Sequence, residues 1–286
     1  MIGKEEYKDI NEILEKKFND NKFLIAAHRG CWGGNIAQNT KDSAKLAYLS
    51  GANIIEIDVA KTKDNKYYAF HTKKEKEILG LDINVEDMQS YEVEKKYILN
   101  ELLEKSKSCI QTVKEIIDSS DESIIFQIDR SEFYLPGVLE FFRNNFDEKT
   151  LKRIMIKCSI KDECLKAFDE FDYKFMLMPI LRKVEEIEIL EKYNSINLIG
   201  IEVIAESEES PTYGSDFIKL LKEKFNVLIQ INAIKLSKDE KLYADLDDDI
   251  SMLVDPSIGW GTLLELGADI IQTDWPLYLN LYRKEK

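Results

Sequence analysis

The sequence predicts an α/β fold, a closed (β/α)8 TIM barrel, and three observations carry that prediction. Short apolar runs alternate with segments of helical periodicity from residue 23 to the end. There are eight such runs, the number that closes a barrel. Nothing in the chain resembles the glycine-rich dinucleotide turn of the rival fold, an open doubly wound sheet.

In chain order the runs are FLIAA (23–27), NIIEID (53–58), SIIFQID (123–129), RIMIK (153–157), KFMLM (174–178), LIGIEV (198–203), VLIQIN (227–232) and DIIQTD (269–274). Between most of them lie amphipathic stretches such as SAKLAYL, VLEFFRNNF, VEEIEILEKY and DFIKLLKEKF, the pattern of parallel β/α units. Residues 1–20 read as a further amphipathic helix, placed over the far end or the side of the barrel. One run breaks the alternation. YYAFH (67–71) follows NIIEIDVAKTKDNK with only the Asp64-Asn65 turn between them. A hairpin closing at the middle of that turn sets Asp58 opposite His71. Residues 72–110 then form an insertion over one end of the barrel, holding DINVEDM and the helix-like EVEKKYILNELLEK. The 5 prolines and 12 glycines leave no linker, so residues 1–286 are expected to form one domain around one large core.

The formal charge of −14 narrows the possible partners. An acidic surface repels nucleic-acid backbones and anionic membranes, but a small phosphate-bearing substrate remains compatible if a cation or an arginine neutralises it. Cys31, Cys109, Cys158 and Cys164 are scattered and read as reduced thiols. The charged N-terminus lacks the apolar core of a signal peptide, and no run is long enough to span a membrane. The expectation is a cytoplasmic protein without a stable membrane anchor.

Only two histidines are present, and each ends an apolar run: FLIAA leads to His28 and YYAF to His71. Active sites of these barrels sit at the carboxyl ends of the strands. One isolated histidine is more often an ordinary core or surface imidazole; two of two at strand ends reverse that preference. Glu56 and Asp58, two residues apart on a strand, project from the same face. Two carboxylates pointed into a barrel mouth repel unless a cation neutralises them. A hard divalent ion, Mg²⁺ or Ca²⁺, fits best, because no Cys–His cluster is available for zinc.

The stretch HRGCWGGNIAQNTKDSAKLAYLSGANIIEIDVAKTKDNKYYAFH resembles the glycerophosphodiester phosphodiesterase family. The matching pieces are His28-Arg29-Gly30, Ala37-Gln38-Asn39-Thr40, Gly51-Ala52-Asn53, Glu56-Ile57-Asp58, Thr62-Lys63-Asp64-Asn65 and His71-Thr72, with Thr273, Asp274 and Pro276 near the end. The resemblance implies hydrolysis of a glycerophosphodiester to an alcohol and glycerol phosphate. It also implies a metal on Glu56 and Asp58, His28 and His71 as general acid and base, and Arg29 on the phosphate. The family's E-x-K pair, source of a third ligand, is replaced by Gln127-Ile128-Asp129; Asp129 faces inward in either register and is expected to be that ligand. Gln38 and Thr72 also depart from the family, each lowering negative charge near the site.

Lys157, Glu202 and Asn232, at or near later strand ends, are candidate rim contacts for the substrate. Trp32, in a glycine-flanked loop, is a candidate cover over it. Trp260 and Trp275 read first as core packing, and Asp247-Asp248-Asp249 as a solvated acidic loop. Two alternatives accompany the hydrolase: a phospholipase-D-like lyase forming a cyclic phosphate, and a non-catalytic phosphodiester-binding homologue.

Overall fold

The structure is a computed structural model that describes residues 1–237 and 240–286. The strands are β1 (Leu24–Ala27), β2 (Ile54–Lys61), β3 (Tyr67–Ala69), β4 (Tyr97–Leu99), β5 (Lys105–Cys109), β6 (Ile125–Asp129), β7 (Ile154–Ser159), β8 (Met176–Leu181), β9 (Asn197–Leu198), β10 (Gly200–Val203), β11 (Leu228–Asn232) and β12 (Ile270–Thr273). Eight of them close a parallel ring among the described residues, in the order β1-β2-β6-β7-β8-β10-β11-β12 and back to β1. The closed (β/α)8 barrel and each of the eight runs match the sequence expectation.

Alternation along each strand builds the barrel in layers. Ile25, Ile55, Phe126, Ile156, Ile229 and Ile271 point outward into a buried cluster with helix residues such as Leu139, Phe142, Leu165 and Leu221. Each such side chain contributes about 1.5–3 kcal/mol on burial. The other face fills the barrel. Its lowest layer is apolar, with Leu24, Ile54, Ile125, Met155, Met176, Leu228 and Ile270 packed together. Leu14 of the helix Lys8–Asp20 joins this layer, so the N-terminal helix closes the lower end. Gly200 leaves room here for the end of Met178, since a Cβ would lie 2.4 Å from Met178 Cε and 3.1 Å from Leu228 O.

One step higher, the same inward phase becomes polar. Glu56, Gln127, Lys157, Glu202, Gln230 and Gln272 are all buried. All but Glu56 are linked side chain to side chain, with Lys157 2.8 Å from Glu202, Gln230 Nε2 donating to Glu202 and Gln272 at 3.0 Å and Gln127 Nε2 donating to Gln230 at 2.7 Å. A buried polar layer is tolerated because its members satisfy one another.

Two local expectations are corrected. The hairpin register differs by one residue: Val59 pairs with Ala69 and Lys61 with Tyr67, so Phe70 rather than His71 lies opposite Asp58, with Phe70 N–H donating to Asp58 O at 3.1 Å. The cause is a three-residue loop in which Asn65 takes a left-handed φ of 61° and Thr62 bonds Lys66. Within the insertion, EVEKKYILNELLEK does not form one helix. A short helix Ser90–Val93 gives way to β4, which pairs antiparallel with β5. Asn100 Oδ1 accepts from the N–H groups of Leu102 and Glu104 and turns the chain, a side-chain mimic of a backbone turn. The insertion packs Ile78, Leu79, Val85, Val93 and Ile98 against Tyr68 and Phe70 of the hairpin, placing Lys74 and Glu77 on the wall of the barrel mouth.

Candidate active site

The first loop sets the geometry. β1 ends into His28, whose N–H donates to Thr273 O at 3.1 Å, and the next two residues turn back with φ of 55° at Arg29 and 78° at Gly30. Gly30 admits no side chain, since a Cβ would sit 2.6 Å from the Ser43 backbone. The left-handed Arg29 aims its N–H at Glu56 Oε2, 2.9 Å away. Thr40 then caps the helix Lys41–Leu49 reciprocally with Ser43, which fixes Asn39 just before it. Asn39 grips Asp58 twice: its Nδ2 donates to Asp58 Oδ2 at 2.9 Å, and its Oδ1 accepts from Asp58 N at 3.1 Å.

Arg29 Nε lies 3.0 Å from Asp58 Oδ2, and its Nη1 donates to Gln38 Oε1 at 2.6 Å. Glu56 and Asp58 are almost wholly buried. Burial, with Asp58 and Asp129 beside it, pushes the Glu56 carboxyl well above the ordinary carboxylate range, against the pull of Lys157 and Arg29.

The two imidazoles face this acidic wall from different strands. His28 Nδ1 is 2.9 Å from Asp274 Oδ1, just beyond β12. His71 Nδ1 is 2.9 Å from the Thr72 carbonyl, and its Nε2 is 4.0 Å from Asp58 Oδ1. A carbonyl oxygen only accepts, so His71 carries its proton on Nδ1 and presents the Nε2 lone pair. Burial, with Arg29 and Arg130 nearby, holds His71 below the usual imidazole value, against Asp58.

The far side of the mouth is an ion-pair floor. Parallel register sets Glu56 level with Gln127 and Asp58 level with Asp129. Lys157 Nζ lies 2.7 Å from Asp129 Oδ2 and 2.8 Å from Glu202 Oε2, and Asn232 Nδ2 donates to Glu202 Oε1 at 2.8 Å. Asp129 Oδ1 accepts from Arg130 N at 2.6 Å. Asp129, expected as a third metal ligand, thus has both oxygens engaged. Lys157, Glu202 and Asn232, expected as rim contacts, are locked together as the floor.

All the residues singled out from sequence, His28, Arg29, Trp32, Glu56, Asp58, His71, Asp129, Lys157, Glu202 and Asn232, line one cleft of about 600 Å³ at the carboxyl end of the barrel. Trp32 Nε1 is buried there without a hydrogen-bond partner among the described residues.

Sequence reasoning missed three contributors. Arg130 follows β6 with a φ of 60°; its Nη2 donates to Thr72 Oγ1 at 2.9 Å, its guanidinium lies 5.2 Å from the Phe133 ring centre, and its Nε is buried without a hydrogen-bond partner among the described residues. Its position directly after an inward-facing strand end was the available signal. Asp274 was seen only as a motif letter, although it ends the last run as His28 ends the first. Asp248, read as part of a solvated run, is 3% exposed and bonded to Trp260, Thr273 and Asp274.

The acidic wall offers oxygen donors of the kind a divalent cation takes. Among the described residues, no three His, Cys, Asp or Glu side chains are grouped to hold a metal. Glu56 Oε1 and Asp58 Oδ1 nonetheless have no hydrogen-bond partner among those residues, and Asp129 stands beside them as a third carboxyl. Two carboxylate oxygens completed by water and substrate phosphate fit a hard, oxygen-seeking divalent cation such as Mg²⁺ or Ca²⁺.

Comparison with known proteins adds the following. A model described as the glycerophosphoryl diester phosphodiesterase family matches residues 28–178, and one described as a domain of unknown function matches residues 175–283. No curated protein matches the sequence. A glycerophosphoryl diester phosphodiesterase structure from Parabacteroides distasonis superposes with a TM-score of 0.75 at 18% identity, over 96% of this chain and 92% of that one. An Oleispira antarctica phosphodiesterase in complex with the product sn-glycerol-3-phosphate gives 0.66 at 15% identity, over 92% and 97%. A glycerophosphodiester phosphodiesterase from Thermotoga maritima gives 0.60 at 20% identity, over 92% and 98%. At these identities the likeness is one of fold.

Proposed function

The chain belongs to the glycerophosphoryl diester phosphodiesterase family, and we propose that it hydrolyses a glycerophosphodiester to an alcohol and glycerol phosphate with His71 as general base and His28 as general acid. The observation that carries this reading is the convergence of both imidazoles and the Glu56–Asp58 pair on one cleft.

Glu56 and Asp58 are the residues that would hold a divalent cation, which when bound offsets charge on the phosphate oxygens. Asp129 is the counter-ion of Lys157 in this reading. The remaining steps follow from the chain's own groups. Arg29, steadied by Asp58 and Gln38, presents a planar donor pair to phosphate oxygens. Arg130, with no carboxylate paired to it among the described residues, adds a second guanidinium beside His71. His71, held neutral with its lone pair on Nε2, takes the proton of the attacking hydroxyl or water. His28 gives a proton to the departing alkoxide from Nε2, while Asp274 holds the proton on Nδ1 and fixes the ring. Each transfer typically contributes about 10²–10⁴ in rate.

The test is turnover of a glycerophosphodiester panel by the native chain and by His28→Ala and His71→Ala. Each variant is expected to lose at least about 10²-fold in kcat. Near-native rates in both variants remove the proposal. No helix among the described residues is long and apolar enough to cross a membrane.

A further inference from the structure

β12 ends at Thr273, and the backbone N–H of Asp274 has no strand partner. A buried carboxylate takes its place. Asp248 Oδ2 accepts from Asp274 N at 2.9 Å, while Asp248 Oδ1 accepts from Thr273 Oγ1 and from Trp260 Nε1, both at 2.8 Å. Thr273 Oγ1 in turn accepts from Trp275 N at 2.9 Å, and Thr273 O accepts from His28 N at 3.1 Å. Asp248 is itself tied to the barrel, its N–H donating to Ala233 O at 2.7 Å just past β11. The segment from Thr273 to Trp275 is therefore gripped from behind by one side chain and from the front by His28.

From these contacts, and resting on the hydrolase reading above, we infer that Asp248 is a positioning residue for catalysis: it sets the backbone from which Asp274 holds His28 in a single tautomer and orientation. Asp248 is 3% exposed, whereas the Asp274 side chain is 30% exposed. Its carboxylate is aimed at Nδ1 by where its backbone lies rather than by packing around it.

Asp248 has no cationic partner among the described residues. Burial, and then the charge of Asp274, push its carboxyl up to about 8. A carboxyl kept at that electrostatic cost, where an apolar side chain would fill the same volume, is explained by the three donors it collects at one strand end. Geometry of this kind matters because a displacement of about 1 Å at a proton-transfer group can cost about 10²-fold in rate.

The experiment uses the full chain with Asp248→Ala, Asp248→Asn and Thr273→Val, and Asp274→Ala as the reference for a released ring. The first readout is the ring ¹⁵N spectrum of His28, assigned with His71→Ala because the chain has only two histidines. With the ring titrated to its neutral form, native His28 is expected to show one Nδ1–H tautomer, and the Asp248 variants a mixture approaching that of Asp274→Ala. The second readout is steady-state hydrolysis. Asp248→Ala is expected to lose about 10²-fold in kcat with KM within about twofold of native. Asp248→Asn turns an amide N–H toward the Asp274 N–H while keeping an acceptor for Trp260 and Thr273; it is expected to fall between.

Variants with lowered Tm but an unchanged His28 spectrum and unchanged kcat overturn the inference, because Asp248 is then merely structural. If Asp248→Ala does not fold, Asp248→Asn and Thr273→Val decide by the same criteria. If the native chain hydrolyses no diester, the functional reading fails, and the His28 spectrum alone decides the place of Asp248.

Discussion

Replacing Lys157 with methionine isolates the electrostatics of the barrel floor. The Lys157 side chain is 3% exposed, as is that of Glu202, and Asp129 is 28% exposed; both carboxylates touch the ammonium within 2.8 Å. Methionine keeps the volume and leaves two carboxylates without a cation, and Glu56 close by loses an offsetting charge. Removing one partner of a buried ion pair costs about 3–5 kcal/mol. For a chain of this size that is a fall in Tm of roughly 5–15 °C.

The pH dependence follows from the same contacts. Burial raises the Asp129 carboxyl, but Lys157 brings it below the ordinary value, so Asp129 contributes stability above the unfolded carboxylate pKa of about 4 and loses it on acidification. Lys157 is shifted up: burial lowers it, and Asp129, Glu202 and Glu56 more than offset that. Its contribution is present below the unfolded lysine pKa of about 10.4 and is lost only as pH rises through the folded value. Circular-dichroism melts at neutral and acidic pH should therefore show Lys157→Met well below native at pH 7, with the gap narrowing as pH falls below about 4. Millimolar Mg²⁺ or Ca²⁺ should restore part of the loss at pH 7 by entering the enlarged acidic cluster. A melt within about 1 °C of native at pH 7 would refute the ion-pair floor.

Two further outcomes follow from the cleft. Asp274→Asn removes the carboxylate facing His28 Nδ1 and should lower kcat by about 10²-fold or more while leaving KM and Tm nearly native, read by initial rates and thermal unfolding. Arg130→Gln removes one of the charges that hold His71 down, so the acid limb of kcat/KM, which falls as the base becomes protonated, should move to higher pH, and KM should rise several-fold; an unmoved limb would place Arg130 outside the site.

Much of this arrangement was legible in the sequence because it depends on period and position. Strand alternation places Glu56 and Asp58 on one face, and apolar runs stop at His28 and His71; neither inference needs tertiary detail. What was misread depends on contacts between distant segments. The hairpin register turned on whether Asn65 would take a left-handed φ and lengthen the loop by one residue. The stretch after Val93 has helix-forming composition, but the side chain of Asn100 offers the backbone a turn, and Ile98 has a buried cluster to join. Asp129 points inward as expected, yet its partner Lys157 comes from the next strand, and no local pattern announces that pairing. The run Asp247-Asp248-Asp249 looks uniformly solvated, but its residues diverge: Asp247 caps the helix Asp248–Leu253, Asp249 pairs with Lys235, and Asp248 turns into the core toward Trp260.

The most direct measurement is a crystal structure of the chain with Mn²⁺ and sn-glycerol 3-phosphate, read by anomalous scattering. The expected map puts the metal between Glu56 and Asp58, at about 2.0–2.3 Å from each carboxylate, with the phosphate in contact with Arg29 and reachable from both imidazoles. Metal and phosphate bound elsewhere, with Glu56 and Asp58 in contact only with protein, would contradict the account.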